Sequence, residues 1–151
     1  MPNAEPPELR TYRERLWPAP WVFLATALVI PASLLVFLPI SLPAGIAVAI
    51  GLYAAIVGVL LATTATIEVT EDRLRAGKAR IERSFVAGAQ AFEGADATAE
   101  RGVRLDARAW LLLRGWLPGV VRIEIDDPQD PTPYWLVSSR NPSRLAATLN
   151  P

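Results

Sequence analysis

The stretch LWPAPWVFLATALVIPASLLVFLPISLPAGIAVAIGLYAAIVGVLLATTATI, from Leu16 to Ile67, contains no charged residue. Arg15 closes a polar segment before it and Glu68 opens a charged one after it. A helix crossing the hydrocarbon core of a bilayer needs about 20 apolar residues, so the block is long enough for two crossings. The apolar region of a cleaved secretory signal is shorter, roughly 7–15 residues, and ends at a small-residue cleavage site. Here the small residues Ala62-Thr63-Thr64-Ala65 come too late in the chain for that reading. The block reads as a membrane hairpin.

Prolines punctuate it. Pro18 and Pro20 precede a first span, Trp21–Leu38, at positions where a missing N–H costs nothing. Pro31 lies inside that span and predicts a kink. Pro39 and Pro43 bracket Ile40-Ser41-Leu42 and predict a turn, after which a second span runs from Ala44 to Thr66. Arg10, Arg13 and Arg15 precede the hairpin, Arg73, Arg75, Lys78, Arg80 and Arg83 follow it, and the turn has no basic residue. The positive-inside rule then predicts a multi-pass protein of the cell inner (plasma) membrane with both termini cytoplasmic. Trp17 and Trp21 fall where an interfacial aromatic belt is expected.

In the second span, Ala47, Gly51 and Ala55 form one small-residue row and Ala54, Gly58 and Ala62 another. Such rows let helices approach closely. One is expected to pack on the first span; the sharper alternative gives the other to a homo-oligomer. Ser33, Tyr53, Thr63 and Thr64 supply polar groups at membrane depth, but no ionisable group does, which argues against a channel or transporter built from one copy.

The 151-residue chain allows one or two small domains, and its formal net charge of zero argues against nucleic acid as a partner. It has no cysteine and no histidine. Disulfides, thiol nucleophiles and thiolate zinc sites are thereby excluded, together with the commonest general base and metal ligand. Ser138 and Ser139 lack a histidine to activate them, and no phosphate-cradling glycine loop is present. No enzyme activity, catalytic residue, cofactor or metal is expected.

After Thr66, alternation takes over. Ile67 and Val69 share one face of a strand, Glu71-Asp72 is a turn, Leu74 begins a second strand ending at Ala76-Gly77, and Ala79 and Ile81 continue into a third, forming a meander. Val86–Gly102 reads either as an alanine-rich helix or as a glycine-broken loop. Ala109–Arg114 is apolar, and Gly115 and Pro118-Gly119 mark a bend. Val121, Ile123 and Ile125 then alternate with charged residues in an amphipathic strand. Asp126–Pro133 is a rigid loop, Tyr134–Ser138 a last strand, and Asn141-Pro142 the start of a helix with Leu145 and Leu149 on one face. The fold class expected is an α+β membrane protein: a two-helix transmembrane hairpin, then a small antiparallel β domain, pleckstrin-homology-like, with a C-terminal helix. The boundaries are residues 1–15 for a cytoplasmic N-terminal segment, 16–66 for the hairpin and 67–151 for the β domain.

Particular segments carry a resemblance. Tyr12-Arg13-Glu14-Arg15-Leu16-Trp17, Leu74-Arg75-Ala76-Gly77-Lys78-Ala79-Arg80, Asp106-Ala107-Arg108-Ala109 and above all Asp127–Arg140 with Asn141-Pro142 are similar to an uncharacterised membrane-protein family of high-GC Gram-positive bacteria, domain of unknown function 3093. Where that family often has Leu-Pro after the Arg80 position, this chain has Ile81-Glu82. The resemblance implies two membrane helices, a small cytoplasmic domain and no established activity.

Three surfaces are candidates for contact. Arg73, Arg75, Lys78 and Arg80 follow the hairpin and suit anionic lipid headgroups, although Glu71, Asp72 and Glu82 interleave with them. Trp110, Trp116, Tyr134 and Trp135 read as the core of a small sheet or, with Arg108, Arg114 and Arg140 at its edge, as a cleft. Tyr134 and Trp135 are adjacent in a strand and face opposite ways, so one of them is expected outside the core as a surface for an unknown protein partner. Asp126, Asp127 and Asp130 do not have the spacing of a calcium loop, and aspartates beside prolines read as turn formers. The expectation is a non-catalytic membrane-anchored adaptor that binds a protein or membrane lipid. The alternative is a structural subunit assembled through its helices.

Overall fold

The computed structural model describes residues 12–150. Arg10 and Pro151, which enter the sequence reading, lie outside them. The chain forms two compact units, one made by Trp17–Thr64 and the other by the residues on either side, up to Leu16 and from Ala65 onward.

In the first unit, α1 (Pro20–Thr26), α2 (Val29–Phe37) and α3 (Leu42–Ala62) are helical. Pro20–Phe37 and Leu42–Ala62 are each long and apolar enough to cross a bilayer. The expected kink separates α1 from α2 at Ala27-Leu28, four residues before Pro31. Proline has no N–H to offer the Ala27 carbonyl and its ring crowds it. That carbonyl instead accepts from Ile30 N at 3.0 Å, in a tighter turn. One turn earlier, the Phe23 carbonyl accepts from Thr26 Oγ1 (3.0 Å) and from Tyr53 Oη of α3 (3.3 Å).

Helix α3 meets α2 through Gly45 and Ala49, which are buried. A Cβ at Gly45 would lie 2.9 Å from Phe37 Cβ. This corrects the expectation that one of the two small-residue rows packs on the first span. Ala47, Gly51, Ala54, Ala55, Gly58 and Ala62 are all exposed within the unit, and a Cβ added at Gly51 or Gly58 meets nothing within 4 Å. At 3.6 residues per turn the two rows merge into one face of α3, opposite the side that carries Gly45 and Ala49. Helix α3 also ends earlier than expected, because Thr66 already belongs to a strand.

The second unit begins with β1 (Tyr12–Arg15), which pairs antiparallel with β2 (Thr66–Val69), Tyr12 opposite Val69 and Arg15 opposite Thr66. Residues 12–15 are therefore part of the β unit, and the separate N-terminal segment ending at Arg15 is corrected for them. A four-residue strand with two arginines gives no hydrophobic signal of its own, and its partner lies across the whole apolar block. The meander follows as expected with β3 (Arg73–Ala76) and β4 (Ala79–Glu82), in sheet order β1-β2-β3-β4. Gly77, at φ +59°, makes the turn between β3 and β4, in the left-handed region that glycine adopts without steric cost.

A 3-10 turn (Arg83–Phe85) leads to β5 (Val86–Phe92), α4 (Gly94–Arg101), β6 (Trp110–Leu112), β7 (Gly119–Ile125), β8 (Tyr134–Ser139) and α5 (Pro142–Leu149). The ambiguous stretch is thus a strand followed by a helix, with a register shift between Val86 and Gly88. The second sheet has the order β5-β7-β8-β6. It is not wholly antiparallel, as had been expected: β6 runs parallel to β8. Strand β8 inserts between β6 and β7, which run in opposite senses, so it must be parallel to one of them.

The main core lies between the two sheets and includes Ile67, Val69, Leu74, Ile123, Trp135 and Val137, with Leu145 and Leu149 of α5 packed into it. A second cluster covers the other face of the second sheet, where Ala97 of α4 meets Val120, Tyr134 and Leu136. Strand β8 is therefore covered on both sides and all six of its residues are buried. Tyr134 (2 % exposed) and Trp135 (5 %) do face opposite ways, but neither reaches solvent. This corrects the expectation of an exposed aromatic. The Trp110 and Trp135 rings lie 4.8 Å apart at 44°, as core aromatics.

Candidate functional site

Alternation along the first sheet sends its apolar residues to the core and its arginines to the opposite face. Arg13 and Arg15 of β1, Glu68 of β2, Arg73 and Arg75 of β3, and Arg80 and Glu82 of β4 all lie on that outer face. Five arginines stand against two glutamates. The register aligns four of these residues in one row across the strands, Arg13 opposite Glu68, Glu68 opposite Arg75, and Arg75 opposite Arg80. Glu68 is closest to Arg13 Nε, at 3.3 Å, with Arg75 Nη1 at 3.9 Å. Arg75 Nε donates to the Gly77 carbonyl at 3.2 Å. Arg80 has no ion pair or hydrogen bond from its guanidinium among the described residues, and neither has Arg73. Like charges directly opposite one another across a ladder are destabilising, so the Arg75–Arg80 pair is not there to hold the sheet together.

A depression of about 180 Å³ opens at this place, lined by Glu68, Thr70, Arg73, Leu74, Arg75 and Arg80. Its position is fixed by rigid elements. Thr70 Oγ1 accepts from Arg73 N at 3.1 Å at the start of β3, and the side chain of Leu74 is anchored in the core. Lys78 is exposed in the β3–β4 turn and is not among these lining residues. Arg73 also lines a second depression, with Glu71, Asp72, Glu82, Arg83 and Ser84, that carries mixed charge.

Arg108, Arg114 and Arg140, predicted at the edge of an aromatic cleft, are held in separate local arrangements. Exposed Arg108 pairs with Asp106 at 3.1 Å, and that pairing pulls the Asp106 carboxyl below the usual carboxylate range. Arg114 N donates to Ser138 Oγ at 2.9 Å and its Nη1 to the Leu113 carbonyl. Arg140 Nη1 donates to the Arg15 carbonyl at 2.8 Å. Tyr134 Oη accepts from Asp106 N at 2.7 Å, and the Arg122 guanidinium stacks 4.1 Å from its ring centroid. The side chains of Asp127 and Asp130 accept from Gln129 N and Thr132 N, each at 2.9 Å, as turn-forming aspartates do.

Glu14 was missed. It faces inward from β1, 8 % exposed, and accepts from Tyr12 Oη (2.7 Å), Ser139 Oγ (2.6 Å) and Arg140 N (2.6 Å). Ser139 Oγ in turn accepts from Asn141 N at 3.0 Å, so one carboxylate from before the hairpin holds the junction between β8 and α5. Burial first, and the neighbouring carboxylate second, push the Tyr12 phenol up to about 12. The signal was present in the alternation of Tyr12-Arg13-Glu14-Arg15, but alternation does not say which face is covered. Both serines considered as nucleophiles are thus hydrogen-bonded parts of the framework.

The model of a family described as Protein of unknown function (DUF3093) matches residues 11–149 and so takes in both units. No curated protein and no solved structure is detectably similar to the chain.

Proposed function

The chain belongs to the DUF3093 family of proteins of unknown function, and from its geometry we propose that it is a non-catalytic membrane-anchored adaptor. Its hairpin crosses the plasma membrane twice, both chain ends are cytoplasmic, and its β unit engages membrane lipid or a protein partner. The pairing of β1 with β2 carries this reading. These strands flank the apolar block and are hydrogen-bonded along their length, which supports two crossings, out and back, over one. Only residues 16–19 and 63–65 intervene between the strands and the apolar helices.

The helices support the anchor. They are apolar all round, and side chains such as Leu24, Leu35 and Ile50 are more than 60 % exposed within the chain. A helix of that kind is stable when other protein or lipid covers it. Two layers of strand with a C-terminal helix packed on them are compatible with a pleckstrin-homology-like relationship, and the parallel β6 is a departure from it. Arginines on the outer face of the first sheet fit a cytoplasmic, inner-leaflet position.

The exposed small-residue face of α3 favours a second reading, a structural subunit or homo-oligomer assembled through the helices. Crosslinking pull-down from native membranes separates the two, comparing the full chain with one lacking residues 65–151. Partners lost with the β unit support the adaptor, and partners retained support helix-driven assembly. Extraction of the full chain by alkaline carbonate, or a reporter fused after Pro151 that is found outside the cell, refutes the anchored topology.

A further inference from the structure

We propose that the outer face of the first sheet is a phosphate-binding site in which Arg75 and Arg80 grip the anion and Arg73 closes one side. The register places two arginines opposite each other on adjacent antiparallel strands, a repulsive arrangement that an anion between their side chains would turn into an attractive one. Of the three cations lining the depression, Arg73 and Arg80 have guanidinium groups with no partner among the described residues. Arg75 donates from Nε to the Gly77 carbonyl, and its ion pair is weak, because Glu68 is committed to Arg13 at 3.3 Å and stands 3.9 Å from Arg75. Guanidinium forks match the geometry of phosphate oxygens, which ammonium groups do not.

At about 180 Å³ the depression has room for a phosphate and its ester substituents, and is below the 300–1,000 Å³ typical of pockets for larger organic ligands. This face carries no aromatic side chain on which a base could stack, so single-stranded nucleic acid is disfavoured. All three arginines sit on strands, which hold them more rigidly than a loop would. The phosphate can come from an anionic lipid headgroup or from a soluble phosphate compound. The lipid source, and it alone, rests on the membrane-anchored reading above.

The test uses the full chain in uncharged detergent micelles, titrated calorimetrically with inorganic phosphate and, separately, with micelles containing phosphatidylglycerol or phosphatidylcholine. Binding of inorganic phosphate identifies a soluble source. Binding of phosphatidylglycerol without inorganic phosphate or phosphatidylcholine identifies a headgroup source. In either case Arg75→Gln and Arg80→Gln are each expected to weaken binding about ten-fold or more, as loss of a charged hydrogen-bond donor does. Arg80→Lys, which keeps the charge without the fork, falls between wild type and Arg80→Gln. Glu68→Gln strengthens binding, because a carboxylate no longer competes for Arg75. Arg108→Gln makes the same change in net charge at an exposed residue outside the sheet and leaves affinity unaltered. The proposal is overturned if no probe binds, if Arg108→Gln costs as much as Arg80→Gln, or if Glu68→Gln weakens binding. The inorganic-phosphate arm does not require insertion, so failure there with carbonate-resistant protein rejects a soluble phosphate source and leaves the anchor standing.

Discussion

Replacing Glu14 by alanine should release the end of the β unit where β1 meets the junction between β8 and α5, two segments far apart in the chain. In the native structure the carboxylate accepts three hydrogen bonds, two of them from hydroxyls with almost no access to water, on Ser139 (0 % exposed) and Tyr12 (6 %). A buried donor left without its acceptor costs about 1–3 kcal/mol, and Arg140 N, on an exposed residue, can turn to water. Relief from burying the charge offsets part of this. The expected loss is about 3 kcal/mol for Glu14→Ala and about 1–2 kcal/mol for Glu14→Gln, which keeps one acceptor oxygen while its amide nitrogen faces a donor. For a unit of this size about 3 kcal/mol lowers the melting midpoint by on the order of 15 °C. The assay is thermal unfolding of the full chain in detergent, followed by near-ultraviolet circular dichroism of Trp110, Trp116 and Trp135, with far-ultraviolet signal reporting the helices separately. A double-mutant cycle with Ser139→Ala should show coupling of at least about 1 kcal/mol, since each variant removes the same bond. A loss under about 1 kcal/mol for Glu14→Ala, or strict additivity with Ser139→Ala, would refute the reasoning.

Trp135→Ala should abolish cooperative unfolding or cost about 3–5 kcal/mol, because the ring is enclosed between the sheets and stacked near Trp110; a folded variant with an unchanged midpoint would mean that it is not core. Gly119→Ala should destabilise by about 1–3 kcal/mol, since the new Cβ would fall 2.6 Å from Pro142 Cγ and 3.1 Å from the Ser139 carbonyl, and denaturant titration at an unchanged slope measures it. Alkali probes Tyr12. Its folded pKa is raised to about 12 from an ordinary value of 10.0, so its contribution to stability is complete below pH 10 and is lost as the pH climbs from there through about 12. In spectrophotometric titration, Tyr12→Phe should remove a late-ionising phenol from the wild-type curve; an unchanged curve for the variant contradicts the assignment.

Much of this architecture is readable from residue order. The hairpin is legible because solvation acts on each apolar side chain individually, and Pro31 locates a kink because a missing N–H is a local fact. The meander and Val121–Ile125 are legible because strands with one wet face alternate. Strand β5 is not, since its run of alanines and glycine has neither alternation nor bulk, and a neighbour in β7 decides its state. The outer arginine row was half visible. Sequence gives the arginines and their alternation, but the alignment of Arg13, Glu68, Arg75 and Arg80 needs the register of four strands.

Hydropathy, proline and charge placement, all properties of single residues and their near neighbours, determined by themselves that the chain has two apolar helices followed by strands and a final amphipathic helix. Tertiary structure alone decided that Tyr12–Arg15 joins the sheet, that β8 is covered on both faces so that Tyr134 and Trp135 are both buried, and that α3 meets α2 through Gly45 and Ala49 and turns its small-residue rows away. The physical reason is common to all three. Strand pairing and burial are relations between segments distant in the chain, and a side chain's periodicity says that it has two faces without saying what covers either one.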